Sequence, residues 1–336
     1  MSVRRSTVWP GTGRVTLVLL AIVSAALAYP WQSLRDRWVL GMAAAVVILL
    51  LARWRGLYVT TILRRRVAMI RRNSGLRPDR EPGIDVRATA LLHVRPPTEN
   101  VDALPLPLMA AYLDRYGIRA DVIRITSRDT GSDTGVPQRE TWIGMTVSAA
   151  DNLAALQARS PQIPLTKTTE VAVRRLADHL REHGWTVSTA AADDIPRLFP
   201  RSARESWRGI RDRHTECVAA YRVNVDAALP DMLAAIRSHA SRETWTALEI
   251  SGDQDRPTLA AACAFRTEGR PSASAPLPGL TPQNGNHWPA LMALDPLSTR
   301  RLDGHTDVPV SLLERLRWPS AASALVPSRP RHAAAV

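Results

Sequence analysis

Asp253-Gln254-Asp255 is the one carboxylate pair in the chain whose spacing suggests a metal-dependent transfer reaction. Some nucleotide-sugar glycosyltransferases hold a divalent ion with such a D-x-D. The same letters lie between two strand-like runs, where Asp is simply a turn former. His179 and His183 stand four residues apart on one side of a helical stretch, and no third ligand accompanies them. Cys217 and Cys263 each fall inside an apolar strand pattern, which reads as core packing. Gly11 and Gly13 give only G-T-G ahead of an apolar run, so a nucleotide fingerprint is untenable there. Walker A, H-E-x-x-H, C-x-x-C and G-x-S-x-G are all missing. No catalytic, cofactor-binding or metal-ligating residue is assigned, and no cofactor is expected.

The charge that such residues sit among is unevenly spread. The 336 residues carry 44 Lys+Arg against 31 Asp+Glu, for a net of +13. Residues 1–80 hold 14 Arg and 2 Asp, so they contribute +12, and the remaining 256 residues are nearly neutral. A nucleic-acid binder needs a basic globular region, and this distribution argues against one. Two Cys exclude a disulfide scaffold.

The basic quarter also holds two apolar runs, VTLVLLAIVSAALAYPW at 15–31 and WVLGMAAAVVILLLARW at 38–54. They predict two transmembrane helices, with Tyr29, Trp31, Trp38 and Trp54 as membrane-interface anchors. The Arg excess on the flanks then puts the N-terminus and the C-terminal domain in the cytoplasm, making a multi-pass protein of the inner membrane. Both cysteines would stay reduced there. Residues 57–73 continue as a basic amphipathic helix with a stripe of Val59, Leu63, Val67 and Ile70. Arg64, Arg65, Arg66, Arg71 and Arg72 are its candidate contacts to lipid headgroups or a partner.

The elements beyond are a strand at 86–95, a helix stripe of Leu108, Met109, Tyr112 and Leu113, and strands at 120–126 and 141–147. Ser148 and Asp151 have capping spacing ahead of a short helix. A longer helix starts at Thr168 or Thr169, buries Val173, Leu176, Ala177 and Leu180, and stops at Gly184. A strand from 219, a helix at 229–238 and strands at 245–250 and 258–266 follow. Strand–helix–strand–strand thus occurs twice, a layout compatible with duplication. The string RETW recurs at 139–142 and 242–245 but does not align with that repeat. Residues 268–309 are Pro- and Gly-rich with little periodicity, which reads as a functional or disordered segment. The expected fold class is a membrane-anchored α/β (mixed α+β) protein. In it a stub (1–14), a two-helix hairpin (15–55) and a juxtamembrane helix and linker (56–83) precede a cytosolic mixed-sheet domain (84–267). An extended segment with a short helix (268–318) and a disordered tail (319–336) complete the chain.

Several long strings resemble EccE, a membrane component of the mycobacterial type VII (ESX) secretion systems. They include YPWQ at 29–32, LDRYGIRAD at 113–121, NLAALQARSPQIPL at 152–165, RRLADHLREHGWTV at 174–187 and GLTPQNGNHWPALMALDPLSTRRLDG at 279–304. The likeness is greatest to the paralogue of the system linked to siderophore-dependent iron acquisition. It implies a non-enzymatic structural role in an inner-membrane complex with EccB, the ATPase EccC and EccD. A membrane-tethered glycosyltransferase-like enzyme, using the D-x-D, is the alternative.

Overall fold

The computed structural model describes residues 12–27, 34–54, 57–74, 86–96, 103–131, 138–200, 202–211 and 216–318. The chain divides into two compact units, Met1–Gly75 and Leu76–Val336.

The first unit holds α1 (Thr12–Leu27), α2 (Leu34–Leu51), a small antiparallel ribbon of β1 (Arg53–Trp54) and β2 (Leu57–Tyr58), and α3 (Val59–Asn73). It corrects the expectation of two transmembrane helices. Among the described residues no helix is long and apolar enough to cross a membrane. The 16 residues of α1 rise about 24 Å, short of a hydrocarbon core of ~30 Å. The apolar run at 38–54 does not coincide with a helix either. α2 begins at Leu34 and takes Arg35, Asp36 and Arg37 into its first turn, where charge is costly in lipid. The multi-pass topology inferred from two spans loses its premise. Tyr29 and Trp31, most of the stub, most of the linker and the tail all lie outside the described residues. Trp38 stands 70% exposed, inside α2 and not at its start, and Trp54 belongs to β1.

The second unit is one sheet of twelve strands with helices on its faces. In chain order these are β3 (Arg87–Arg95), α4 (Leu106–Ala110), β4 (Asp114–Arg115), β5 (Ile118–Thr130), β6 (Gln138–Ser148), α5 (Leu153–Arg159), α6 (Leu165–Glu182) and β7 (Thr186–Thr189). Next come β8 (Arg204–Ser206), β9 (Gly209–Arg211), β10 (Glu216–Val223), α7 (Leu229–Ser238), β11 (Glu243–Asp253) and β12 (Arg256–Glu268). Last are β13 (Leu280–Pro282), α8 (His287–Leu294), β14 (Thr306–Asp307) and α9 (Val310–Arg315). The main order is β7-β3-β6-β5-β11-β12-β10-β9-β8.

Every described strand pair is antiparallel, which corrects the expected mixed sheet. The reason is in the connections. β5–β6 and β11–β12 are hairpins, and β6 sits between β3 and β5 just as β12 sits between β10 and β11. The helix in each half therefore links two strands that run parallel without pairing. The two halves, β3-β6-β5 and β11-β12-β10, have mirrored order and meet where β5 pairs β11 along Val122–Thr130.

Strand parity sorts the side chains onto two faces. Leu92, Ile123, Ile125, Ile143, Met145, Leu248, Ile250, Ala261 and Phe265 share one core cluster with residues of α4, α6, α7 and α9. α6 supplies Val173, Leu176, Ala177 and Leu180, all buried. Gly184 ends that turn at φ +83°, where a β-carbon would be strained. Leu91, Trp142, Trp245, Ala247 and Ala264 form the other cluster with Leu291 and Leu294 of α8 and with Leu302. That second cover is built from the segment read as extended and Pro-rich. Its Gln283 and His287 are buried, and it lies so close to the sheet that a β-carbon on Gly144 would come within 2.4 Å of the Pro296 carbonyl oxygen.

The capping spacing at Ser148 and Asp151 has a different outcome. α5 starts after Asn152 with no side-chain cap. The buried Asn152 amide instead holds the β5 backbone, accepting from Arg119 N at 2.7 Å and donating to Arg119 O at 2.8 Å and Ser148 O at 2.9 Å.

Candidate interaction site

The residues with chemical potential do not converge. Asp253 ends β11 opposite Arg256, so Gln254 and Asp255 form a two-residue hairpin turn. The Asp253 side chain is 71% exposed and lies 3.7 Å from Arg119. His179 bonds the Tyr112 hydroxyl, whereas the His183 ring lies 2.8 Å from the His179 carbonyl oxygen, so the two rings do not face a common point. Cys217 and Cys263 lie buried on neighbouring strands, and burial pushes both thiols up, away from reactivity. Among the described residues no group of three or more His, Cys, Asp or Glu could hold a metal ion.

Charge instead converges on the second face of the sheet. Arg124 of β5 and Glu249 of β11 are direct cross-strand partners at the junction of the halves. Their side chains are 2% and 0% exposed. Arg124 donates to Glu249 Oε2 from Nε at 3.1 Å and from Nη2 at 2.7 Å. Its remaining donors reach the covering segment. Nη1 bonds the carbonyls of Asp295 at 3.0 Å and Ser298 at 2.8 Å, and Nη2 that of Arg300 at 2.5 Å. Glu249 answers from the same spot, accepting from Leu302 N at 3.1 Å, while His305 Nε2 lies 2.9 Å from its other oxygen. Arg301 adds a longer contact to Glu249 at 3.7 Å and bonds the Ser251 hydroxyl.

Residues 295–305 have no periodic pattern, and this pair gives them one seat. Against a hydrophobic replacement a buried ion pair adds little net stability. Its effect here is to fix where the cover docks. Sequence reasoning missed both residues. The signal was present, because each is a lone charge flanked by apolar residues in a strand, at VIRIT and ALEIS. A charge in such a position needs a partner.

Glu243 makes a second junction at the start of β11. It lies 2.5 Å from Arg128 Nε and 2.5 Å from Arg266 Nε, and it accepts from Trp245 Nε1 at 3.1 Å. Burial alone would raise the Glu243 and Glu249 carboxyls. The adjoining Arg128 and Arg266 in one case, and His305 and Arg124 in the other, outweigh it and hold both below the ordinary carboxylate value. A depressed folded value means that the stabilisation is whole above the unfolded value of about 4.3 and is lost as pH falls through the folded one. Urea midpoints measured across that acid range should therefore drop steeply below about pH 4.3, and Glu249→Gln should flatten the drop.

The Arg residues singled out from sequence as candidate contacts lie on α3. Arg64, Arg66 and Arg71 are exposed, while Arg65 and Arg72 are half-buried. The apolar stripe is open as well, with Leu63, Val67 and Ile70 at 57%, 48% and 60%. The helix contains no acid, and Arg71 and Arg72 fall in its last turn, where cations suit the negative end of the helix dipole.

Comparison with known proteins bears on these surfaces. The EccE family model, describing a type VII ESX secretion system translocon, matches residues 136–223, from the start of β6 to the end of β10. The chain is 61% identical over 315 residues to the ESX-3 secretion system protein EccE3 of Mycobacterium tuberculosis (strain CDC 1551 / Oshkosh), covering 93% of each chain. It is 51% identical over 307 residues to the protein of the same name in Mycolicibacterium smegmatis, covering 90% of this chain and 94% of that one. With identity this high over nearly the full length of both chains, the protein belongs to the EccE family and is a structural component of the type VII (ESX) secretion system.

Proposed function

We propose that the protein supports assembly and stability of the ESX translocase through contacts with EccB, EccC and EccD homologues, and that it catalyses no reaction itself. The observation that carries this reading is α3, a helix without acids that presents Arg64, Arg66 and Arg71 beside open Leu63, Val67 and Ile70. Such a surface fits either a partner protein or anionic headgroups. α1 and α2 add exposed Leu20, Leu27, Met42 and Ile48, apolar area that favours burial against partner subunits. Trp38, on the same helix, suits the headgroup level. The protein acts at the inner membrane as part of the ESX secretion system, a reading supported by its membership of the EccE family.

Charge reversal of the α3 tip tests the reading. In Arg71→Glu/Arg72→Glu, native gels of mild-detergent membranes should show the chain leaving the high-mass complex, with its own level and thermal unfolding unchanged. An unaltered complex would remove α3 from the account.

A further inference from the structure

The chain's only lysine, Lys167, stands beside a cavity separate from the Arg124–Glu249 seat. Its volume is about 270 Å³, and it opens between the first turns of α6 and the turn joining β4 to β5. Ile118, Ala120, Met145, Val171 and Ala172 give it an apolar lining. Four cations stand around that lining: Arg115, Arg159, Lys167 and Arg175. No carboxylate lines it.

None of the four makes an ion pair among the described residues. Three of them are held in place by other means. The Arg115 guanidinium lies 4.8 Å from the centre of the Tyr112 ring and 5.2 Å from that of Tyr116. Arg175 lies 4.5 Å from the Tyr116 ring. Arg159 donates to the Ala155 carbonyl at 2.8 Å and to that of Tyr116 at 3.3 Å. These contacts place cationic groups without neutralising them.

The backbone around the cavity is strained too. Tyr116 and Ile163 are the two non-glycine residues with positive φ among those described, at 57° and 48°. One lines the cavity and the other adjoins its Pro164. A side chain in that region is strained, and such strain gathers at binding sites. In this case it sets the Tyr116 ring against two guanidiniums. Tyr116, Ile163 and Val171 are exposed at 48%, 38% and 44%, an apolar surface with nothing covering it.

We infer that this groove docks an acidic segment of a partner protein, seating one apolar side chain in the cavity between carboxylates that pair with the four cations. The apolar lining favours such a peptide over a bare phosphate or polyphosphate, which would gain nothing from it. The inference goes beyond the assembly role and does not rest on α3.

The test is selection of a random peptide library on the purified full-length chain in mild detergent. Recovered peptides should carry Asp or Glu on both sides of Leu, Phe or Trp. They should bind Lys167→Glu/Arg175→Glu at least about tenfold more weakly, a loss of about 1.4 kcal/mol. Val171→Ser, which adds no charge beside the cations, should weaken them as well, and circular dichroism should show both variants folded. Three results would each overturn the proposal. They are recovered peptides with no acidic enrichment, equal binding to the charge-reversed chain, and polyphosphate binding that Val171→Ser leaves untouched.

Discussion

Arg124→Ala should lower the unfolding free energy of the second unit by about 3–5 kcal/mol, because it removes the buried guanidinium that pairs Glu249 and leaves that carboxylate only His305, the Leu302 N–H and the longer Arg301 contact. Glu249 has no exposed area to fall back on. Three carbonyls of the cover, those of Asp295, Ser298 and Arg300, lose their donor at the same time. Urea unfolding would read the total cost. Limited trypsin digestion would read the local one, because cleavage after Arg300 and Arg301 should accelerate before global unfolding. Arg124→Met combined with Glu249→Leu should recover the part of the loss that comes from the uncompensated charge, since apolar replacement of both partners of a buried pair is often neutral, while the cover carbonyls stay without their donor. If the single variant unfolds like the parent, the pair does not seat the cover.

Trp245→Ala should cost about 3–5 kcal/mol, the range for deleting a large buried aromatic. Trp245 is 1% exposed and stacks on Trp142 at 5.8 Å and 12°. Its Nε1–H donates to Glu243, which also holds Arg128 and Arg266. Trp245→Phe keeps an aromatic plane but loses the donor and part of the buried ring volume, so a cost between about 1 kcal/mol and that of the alanine variant is expected. A double-mutant cycle with Trp142→Ala should return a coupling of about 0.5–1.5 kcal/mol. A coupling near zero would mean that the stacked rings stabilise the fold independently.

Much of the second unit was legible because its signals are local. The apolar spacing of Val173, Leu176, Ala177 and Leu180 gives α6, and the alternation around Ala219, Tyr221 and Val223 gives β10. Asp253-Gln254-Asp255 reads as a turn between strands, and a two-residue hairpin turn lies there. Pairing was less legible, because strand–helix–strand suggests a parallel crossover and only the sheet order shows a third strand in between. The RETW repeat shows how far a string can mislead. Its two copies lie on β6 and β11, which are not equivalent in the two halves, yet their tryptophans stack on each other.

The covering segment was illegible for a physical reason. Its order comes from carbonyls held by a guanidinium more than 170 positions away in sequence, and no periodicity records such a contact. The apolar runs at 15–31 and 38–54 misled in the opposite sense. Their composition fits a membrane span, but the helix boundaries draw Arg35, Asp36 and Arg37 into α2 and leave α1 at 16 residues. Of the proposed interaction surfaces, α3 follows from its Arg content, whereas the groove beside Lys167 needs the fold to assemble it from residues 112–175.

Co-purification tests the assembly role most directly. The tagged full-length chain is extracted from its own membranes in mild detergent and the eluate is identified by mass spectrometry. The EccB, EccC and EccD homologues should elute with it in constant proportion and migrate as one large species. An eluate that holds the intact chain without those three proteins would contradict the account.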